Sequence, residues 1–333
     1  MLIEIILLFI LGLTTGKVFE KLKLPKLLGY LLLGVILQYI PFFNGELINY
    51  KKEITTFALS VILLKAGLGI DKPTLQRVGK RAILLGIIPN ILEGSILTVL
   101  GYAIFNLTFI EAGMLGFIVC AISPAVVIPT MVRIKEEGYN KNGVPVLNLA
   151  SSSIDDIVSV VIFSIFLSLY IGGLQSENIS TIIKPFIYIL LMMIGYLVNK
   201  HYPKPNIKNS INKIWSIAQI YLFIVIGLLV NVSVAYTIGI MAVVVIIIGL
   251  SFRILGVHLC LINSIFSKKE KLFCMISNTP KATVQASLGA IPLIYGVNSG
   301  EFILAFSALS IILTAPIGLI LIEKLYKKLL IKI

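Results

Sequence analysis

Long apolar stretches joined by short basic connections set the strongest limit on what this chain can fold into. Eleven can be drawn: A (2–16), B (25–40), C (54–70), D (82–105), E (109–132), F (145–172), G (181–199), H (214–231), I (234–265), J (271–294) and K (301–322). A helix of roughly 20 residues crosses the hydrocarbon of a bilayer. Lipid offers no partner to a free backbone N–H or C=O, so stretches of this kind read as helices. A and B are short for a full crossing. Charged residues are 13% of the chain and hydrophobic ones 58%, against about 25% charged in soluble domains. The chain reads as an all-α polytopic membrane protein, a single transmembrane domain over 1–333 with about 11 transmembrane helices.

Basic residues give the orientation. The odd-numbered connections and the C-terminal tail hold 22 of the 28 Lys and Arg, and the opposite side holds only Lys51, Lys52 and Lys184. Cytoplasmic loops carry such an excess, which predicts a multi-pass protein of the cell membrane with its N-terminus outside and its C-terminus cytoplasmic. The net charge of +13 is then a topology signal facing the lipid bilayer, and no nucleic-acid partner is expected. Cys120, Cys260 and Cys274 all lie in apolar stretches and read as small buried hydrophobes. His201 and His258 are far apart and suggest no metal site. The apolar N-terminus lacks a basic region and a small-residue cleavage site, so it reads as a first helix.

Asp155 and Asp156 stand side by side in segment F. Asp155 lies roughly 15 Å in from Pro145, near the middle of the bilayer. A carboxylate there costs a few kcal/mol and by default marks an ion or proton path. Adjacent helical residues point about 100° apart, so only one of the two can face a given cavity squarely. The competing reading is a structural pair bonded to neighbouring helices.

Segments E and J are interrupted at Pro124 and Pro280, each near mid-membrane. Proline removes a helical N–H and clashes with the preceding turn. Ser123 precedes one break and Ser277, Asn278 and Thr279 the other, and these side chains can satisfy the freed groups. Broken half-helices turn partial charges toward a binding site; an ordinary proline kink is the plainer alternative. Glu93 in D and Arg253 in I lie at matching depths and are expected to form a salt bridge, since an unpaired charge there is costly. Its role is open between structure and coupling. Lys281 follows the second break, where it can offset a half-helix C-terminus or tune the aspartates. Lys65 lies close to the inner end of C and reads as a snorkelling side chain. Glu4 and Glu111 read as outer-surface positions.

Residues 65–79 align with 225–239 at an offset of 160, which places Gly67 on Gly227, Asp71 on Asn231 and Glu93 on Arg253. C and H run in opposite directions, so the repeat is inverted, as in many secondary transporters. The halves read as 1–172 and about 200–325, with a core bundle of about 82–172 and 234–325.

Six stretches carry a family resemblance: LPKLLGYLLLGVILQY (24–39), ILLKAGLGID (62–71), ISPAVVIP (122–129), SSSIDDIVSV (151–160), FRILGVHL (252–259) and PKATVQASLGAIPL (280–293). Together they resemble the monovalent cation:proton antiporter superfamily, closest to the NHA-type sodium/proton antiporters. The resemblance implies an inverted-repeat antiporter fold with two broken crossing helices. It also implies a homodimer and exchange of Na⁺ or Li⁺ for H⁺, with no cofactor. Asp155 and Asp156 would then hold Na⁺, Pro124 and Pro280 would mark the crossing helices, and Ser123 with Thr130, or Ser151 with Ser152, would add oxygen ligands. The family often has lysine where Arg253 falls. Relatives have about four helices between the Asp-Asp helix and the one bearing that basic residue, where this chain has two, G and H. A K⁺/H⁺ antiporter or another cation transporter is the main alternative. An intramembrane aspartyl protease is remote, because neighbouring residues on one helix do not face each other across a shared proton.

Overall fold

The computed structural model describes residues 2–44, 49–69, 72–174, 186–201 and 205–332. Asp71, Lys184 and the start of segment G (181–185) lie outside these. Among the described residues the regular structure is helical: α1 (Leu2–Lys21), α2 (Lys26–Leu37), α3 (Lys51–Gly69), α4 (Lys72–Phe105), α5 (Phe109–Val119), α6 (Pro124–Glu136), α7 (Val144–Leu174), α8 (Phe186–His201), α9 (Pro205–Leu229), α10 (Val232–Leu261), α11 (Lys268–Ser277), α12 (Thr283–Gly289), α13 (Ile291–Ile294) and α14 (Gly300–Leu329), with a 3-10 turn at Pro41–Asn44. Every apolar segment carries a helix, and E and J are each divided, into α5–α6 and α11–α13. Among the described residues six spans are long and apolar enough to cross a membrane: Gly79–Phe105, Phe109–Glu136, Val144–Gly172, Asn206–Leu229, Val232–Leu261 and Gly300–Leu329.

The helices recur. α2 and α8, α3 and α9, α4 and α10, α5 and α11, α6 and α12, and α7 and α14 each begin about 160 residues apart, as Lys26 does from Phe186 and Lys72 from Val232.

Two bodies of core can be followed. Leu8, Leu31, Ala58 and Phe223 join α1, α2, α3 and α9. Elsewhere the apolar contacts form two layers. Leu97, Leu115, Phe163, Val245 and Phe306 fill one, and Leu85, Met131, Leu147, Val257 and Phe273 fill the other. On α4, α7 and α10 the polar residues Glu93, Asp155 and Arg253 fall between the two layers. The sequence thus gives each helix apolar flanks around a polar waist.

Helices cannot be driven together in lipid by apolar burial alone, so close backbone approach matters. A Cβ on Gly34 would lie 2.1 Å from the carbonyl oxygen of Ile224, and one on Gly227 would lie 2.2 Å from that of Leu31. α2 and α9 therefore cross backbone against backbone. Gly195 makes the same approach to α3, 2.3 Å from the Leu64 carbonyl oxygen. Gly227→Leu is expected to push α2 and α9 apart and cost about 1–3 kcal/mol, the usual range for overpacking. A clear fall in melting temperature in detergent checks this, and an unchanged melt contradicts it.

Two surface readings and one burial reading need correction. Glu111 is buried because it forms a capping box with Thr108 at the start of α5, and its other oxygen accepts from the backbone N–H of Ser299 at 3.2 Å. Glu4 is buried as well. Cys260 is half-buried on α10, whereas Cys120 and Cys274 are buried as expected. At the C-terminal end of α6, Arg133 pairs with Glu323 at 2.5 Å, and the Tyr326 hydroxyl donates to Glu137 at 2.7 Å. That hydrogen bond, aided by Arg133, holds the Glu137 carboxyl below the usual carboxylate range.

Candidate functional site

The two breaks meet. The backbone N–H of Ser123 donates to the carbonyl of Pro280 at 2.8 Å, and the hydroxyls of Ser123 and Thr283 lie 3.5 Å apart. Pro124 opens α6 at a position where a helix needs no N–H. Pro280 lies in the extended link between α11 and α12.

Breaking α5 frees its last carbonyls, and three side chains cover them. The Gln285 amide donates to the carbonyls of Ile118, Val119 and Ala121 at 3.0, 3.2 and 2.7 Å. Lys281 Nζ donates to the Cys120 carbonyl at 2.7 Å, and Arg253 Nη2 donates to it too. Both cations thus sit at the partially negative end of a half-helix. At the other break Thr279 and Asn278 donate to the carbonyls of Ile276 and Cys274, both at 2.8 Å. Ser123, by contrast, makes no side-chain cap for α6. The α5 carbonyls are met from α10 and from the second broken segment instead.

The expected contact between Glu93 and Arg253 is present, and it belongs to a larger cluster. Arg253 Nε donates to Glu93 Oε2, and Lys281 Nζ donates to the same oxygen at 2.7 Å. Arg253 Nη1 and Nη2 donate to Asp155 Oδ1 at 3.0 and 2.7 Å. Asp155 Oδ2 accepts from the Ile122 backbone N–H at 2.7 Å. Two acids and two bases, all fully buried, balance one another, which is what makes such a group tolerable away from water.

Asp156 differs from its neighbour. It is 4% exposed, and its Oδ1 meets no hydrogen-bond partner. It lines a cavity of about 480 Å³ between α3, α6, α7, α9 and α12, together with Ser153, Thr283, Lys65 and Trp215. The helical turn of about 100° between adjacent residues accounts for the split: Asp155 faces Arg253, and Asp156 faces the cavity.

The other proposed oxygen ligands do not reach that cavity. Thr130, Ser151 and Ser152 donate to the carbonyls of Val126, Asn148 and Leu149 in their own helices, at 2.8, 3.2 and 3.0 Å. The hydroxyl residues on the cavity wall are Ser153, Ser216 and Thr283, none of which sequence reasoning singled out. It also missed Asn90, whose amide donates to the Asp155 carbonyl at 3.1 Å and to Ser159 at 2.7 Å, and it missed Gln285. Their positions, an amide one turn before Glu93 and another five residues past Pro280, were the available signals, and neither shows which groups the amide meets.

Comparison with known proteins decides the family. The sequence pattern of the family described as "Sodium/hydrogen exchanger, transmembrane" matches residues 5–198 and 188–327. The chain belongs to this sodium/hydrogen exchanger family. Sodium/hydrogen exchanger 9B2 of Mus musculus is 30% identical over 396 aligned positions, covering 96% of this chain and 72% of that protein. Sodium/hydrogen exchanger 9B1 of Homo sapiens is 28% identical, covering 99% of this chain and 78% of its own. An alignment longer than the 333 residues here means that the mouse exchanger carries segments this exchanger lacks. The structure of the sodium proton antiporter MjNhaP1 from Methanocaldococcus jannaschii at pH 8 superposes with a TM-score of 0.77 at 20% identity, over 98% of this chain and 97% of that one. That likeness gives the fold. The exchanger family is one of transporters, and the two aspartates are not placed to share a proton as a protease requires.

Proposed function

We propose that this protein exchanges Na⁺ or Li⁺ for H⁺ by alternating access, and that Asp156 holds either ion but never both. One observation carries the reading: Asp156, whose buried Oδ1 meets no hydrogen-bond partner, lines a cavity beside a cluster of paired charges. Ionised Asp156 takes a partly dehydrated cation with help from oxygens such as those of Ser153 and Thr283. A proton arriving at Asp156 removes the negative charge and the cation leaves. Asp155 has both oxygens engaged, so it positions Arg253 and the break instead of cycling. One free acid gives one proton per monovalent cation, and transport is electroneutral.

The core bundle, α4–α7 with α10–α14, moves against α1–α3, α8 and α9. Support for an inverted repeat comes from the recurrence of helices and from two contacts between residues 160 apart, Glu93 with Arg253 and Ser123 with Thr283. On this spacing the second half opens at α8, earlier than residue 200. The working unit is a homodimer in the cell membrane, with the C-terminus cytoplasmic.

A ΔpH-dye assay in proteoliposomes with Na⁺, Li⁺ and K⁺, alongside solid-supported-membrane recording, tests the reading. Na⁺ and Li⁺ are expected to collapse ΔpH without net current. K⁺ alone doing so would make the protein a K⁺/H⁺ exchanger. A sustained current would overturn the one-for-one exchange.

A further inference from the structure

The cavity that holds Asp156 also contains a positive charge from the opposite wall. Lys65 lines it from α3, and its Nζ lies 5.9 Å from the ring centroid of Trp215, the chain's single tryptophan. A snorkelling lysine extends its ammonium to the interface; this one rests on a buried aromatic face beside the cavity. Among the described residues no carboxylate lies within ion-pair distance of it. The charged groups around the cavity are Lys65 from α3, Asp156 from α7 and Lys208 from α9; α6 presents prolines and aliphatics, and α12 presents Thr283. Asp155 is turned to Arg253. With Asp156 ionised, the cavity therefore carries one more positive charge than negative. Lys208 lies on the first turn of α9, at the basic end of the helix. Lys65 lies two turns deeper, level with Trp215.

We infer that Lys65 is a specificity-determining residue, a tethered competitor whose ammonium weakens Na⁺ and H⁺ binding at Asp156 by the same factor and so sets the sodium and pH range of exchange. The inference rests on Asp156 being the exchange carboxylate. The physics is simple. Both transported ions are monovalent cations, they bind at one carboxylate, and a fixed positive charge nearby opposes both equally in a poorly screened site. Trp215 keeps the ammonium in place at little entropic cost. Because the charge is covalently attached to α3, it acts on Asp156 only while the cavity is closed around both.

The test is Lys65→Gln in proteoliposomes, with the Na⁺ KM measured across pH. At alkaline pH, where protons do not compete, KM is expected to fall about tenfold, the effect of a single nearby charge. At acid pH it is expected to stay near the wild-type value, because Na⁺ and H⁺ gain equally. At sub-saturating Na⁺ the half-maximal pH moves up by about one unit, the logarithm of that factor. Lys65→Arg, which keeps the charge, is expected to retain the wild-type curve, and Lys65→Met is a second neutral variant should the glutamine not fold. An unchanged or raised KM at alkaline pH in the neutral variants overturns the inference. So does an arginine variant that behaves like them, because packing and not charge would then be responsible. Wild-type protein without any Na⁺-dependent exchange would sink the exchange reading itself, a result distinct from both.

Discussion

Asp156→Asn is expected to reduce Na⁺-driven proton exchange by at least about a hundredfold while the protein still folds and inserts. The amide keeps the shape of the side chain but carries no negative charge and cannot take up a proton. Intramembrane acids are retained at a cost of a few kcal/mol, and here the cost falls on a group with an oxygen that nothing in the protein satisfies. Removing the charge therefore relieves the fold while disabling the exchange. Proteoliposomes loaded at matched protein density, read by a ΔpH dye, give the comparison. Exchange at the wild-type rate would show that the cavity is not the ion site. Asp155→Asn makes an informative partner, since its charge faces Arg253 at 2.7 Å and not the cavity. Its principal effect is expected on stability.

Arg253→Met is expected to destabilise the protein by about 3–5 kcal/mol, the range found when one member of a buried ion pair is removed. The guanidinium serves Glu93, Asp155 and the Cys120 carbonyl at once. Without it Asp155 loses both guanidinium donors and keeps the Ile122 N–H, and Lys281 alone must offset two acids. Arg253→Lys retains a charge but loses the planar fork that reaches three acceptors, so an intermediate loss is expected. Melting followed by fluorescence-detected size-exclusion in detergent orders the three proteins. A methionine variant as stable as wild type would mean that the cluster contributes nothing to holding the breaks together.

Much of this was legible in the residues. Apolar length and basic connections placed a helix on every segment, because lipid leaves the backbone no alternative. Matching depth pairs Glu93 with Arg253, and the angle between adjacent helical residues turns the two aspartates in different directions. The second ring of the site was not legible. Ser151, Ser152 and Ser153 look alike in the sequence, yet only Ser153 faces the cavity, because which face of α7 meets α3 and α9 depends on packing over long sequence distances. Gln285 gave no hint that its amide reaches three carbonyls of another broken segment. Lys65 looked like a lysine near the lipid surface, and only the arrangement of α3 against α9 sets it on Trp215. Glu111 looked exposed because its partners, Thr108 and Ser299, lie 188 residues apart from it in one case.

Binding of Na⁺ to the purified protein as a function of pH tests the central claim most directly. If one carboxylate holds either ion, the apparent Kd for Na⁺ rises about tenfold for each unit fall in pH once protons compete, and the Asp156→Asn protein shows no saturable Na⁺ binding. An affinity for Na⁺ that ignores pH, or that survives in the asparagine variant, would contradict the account.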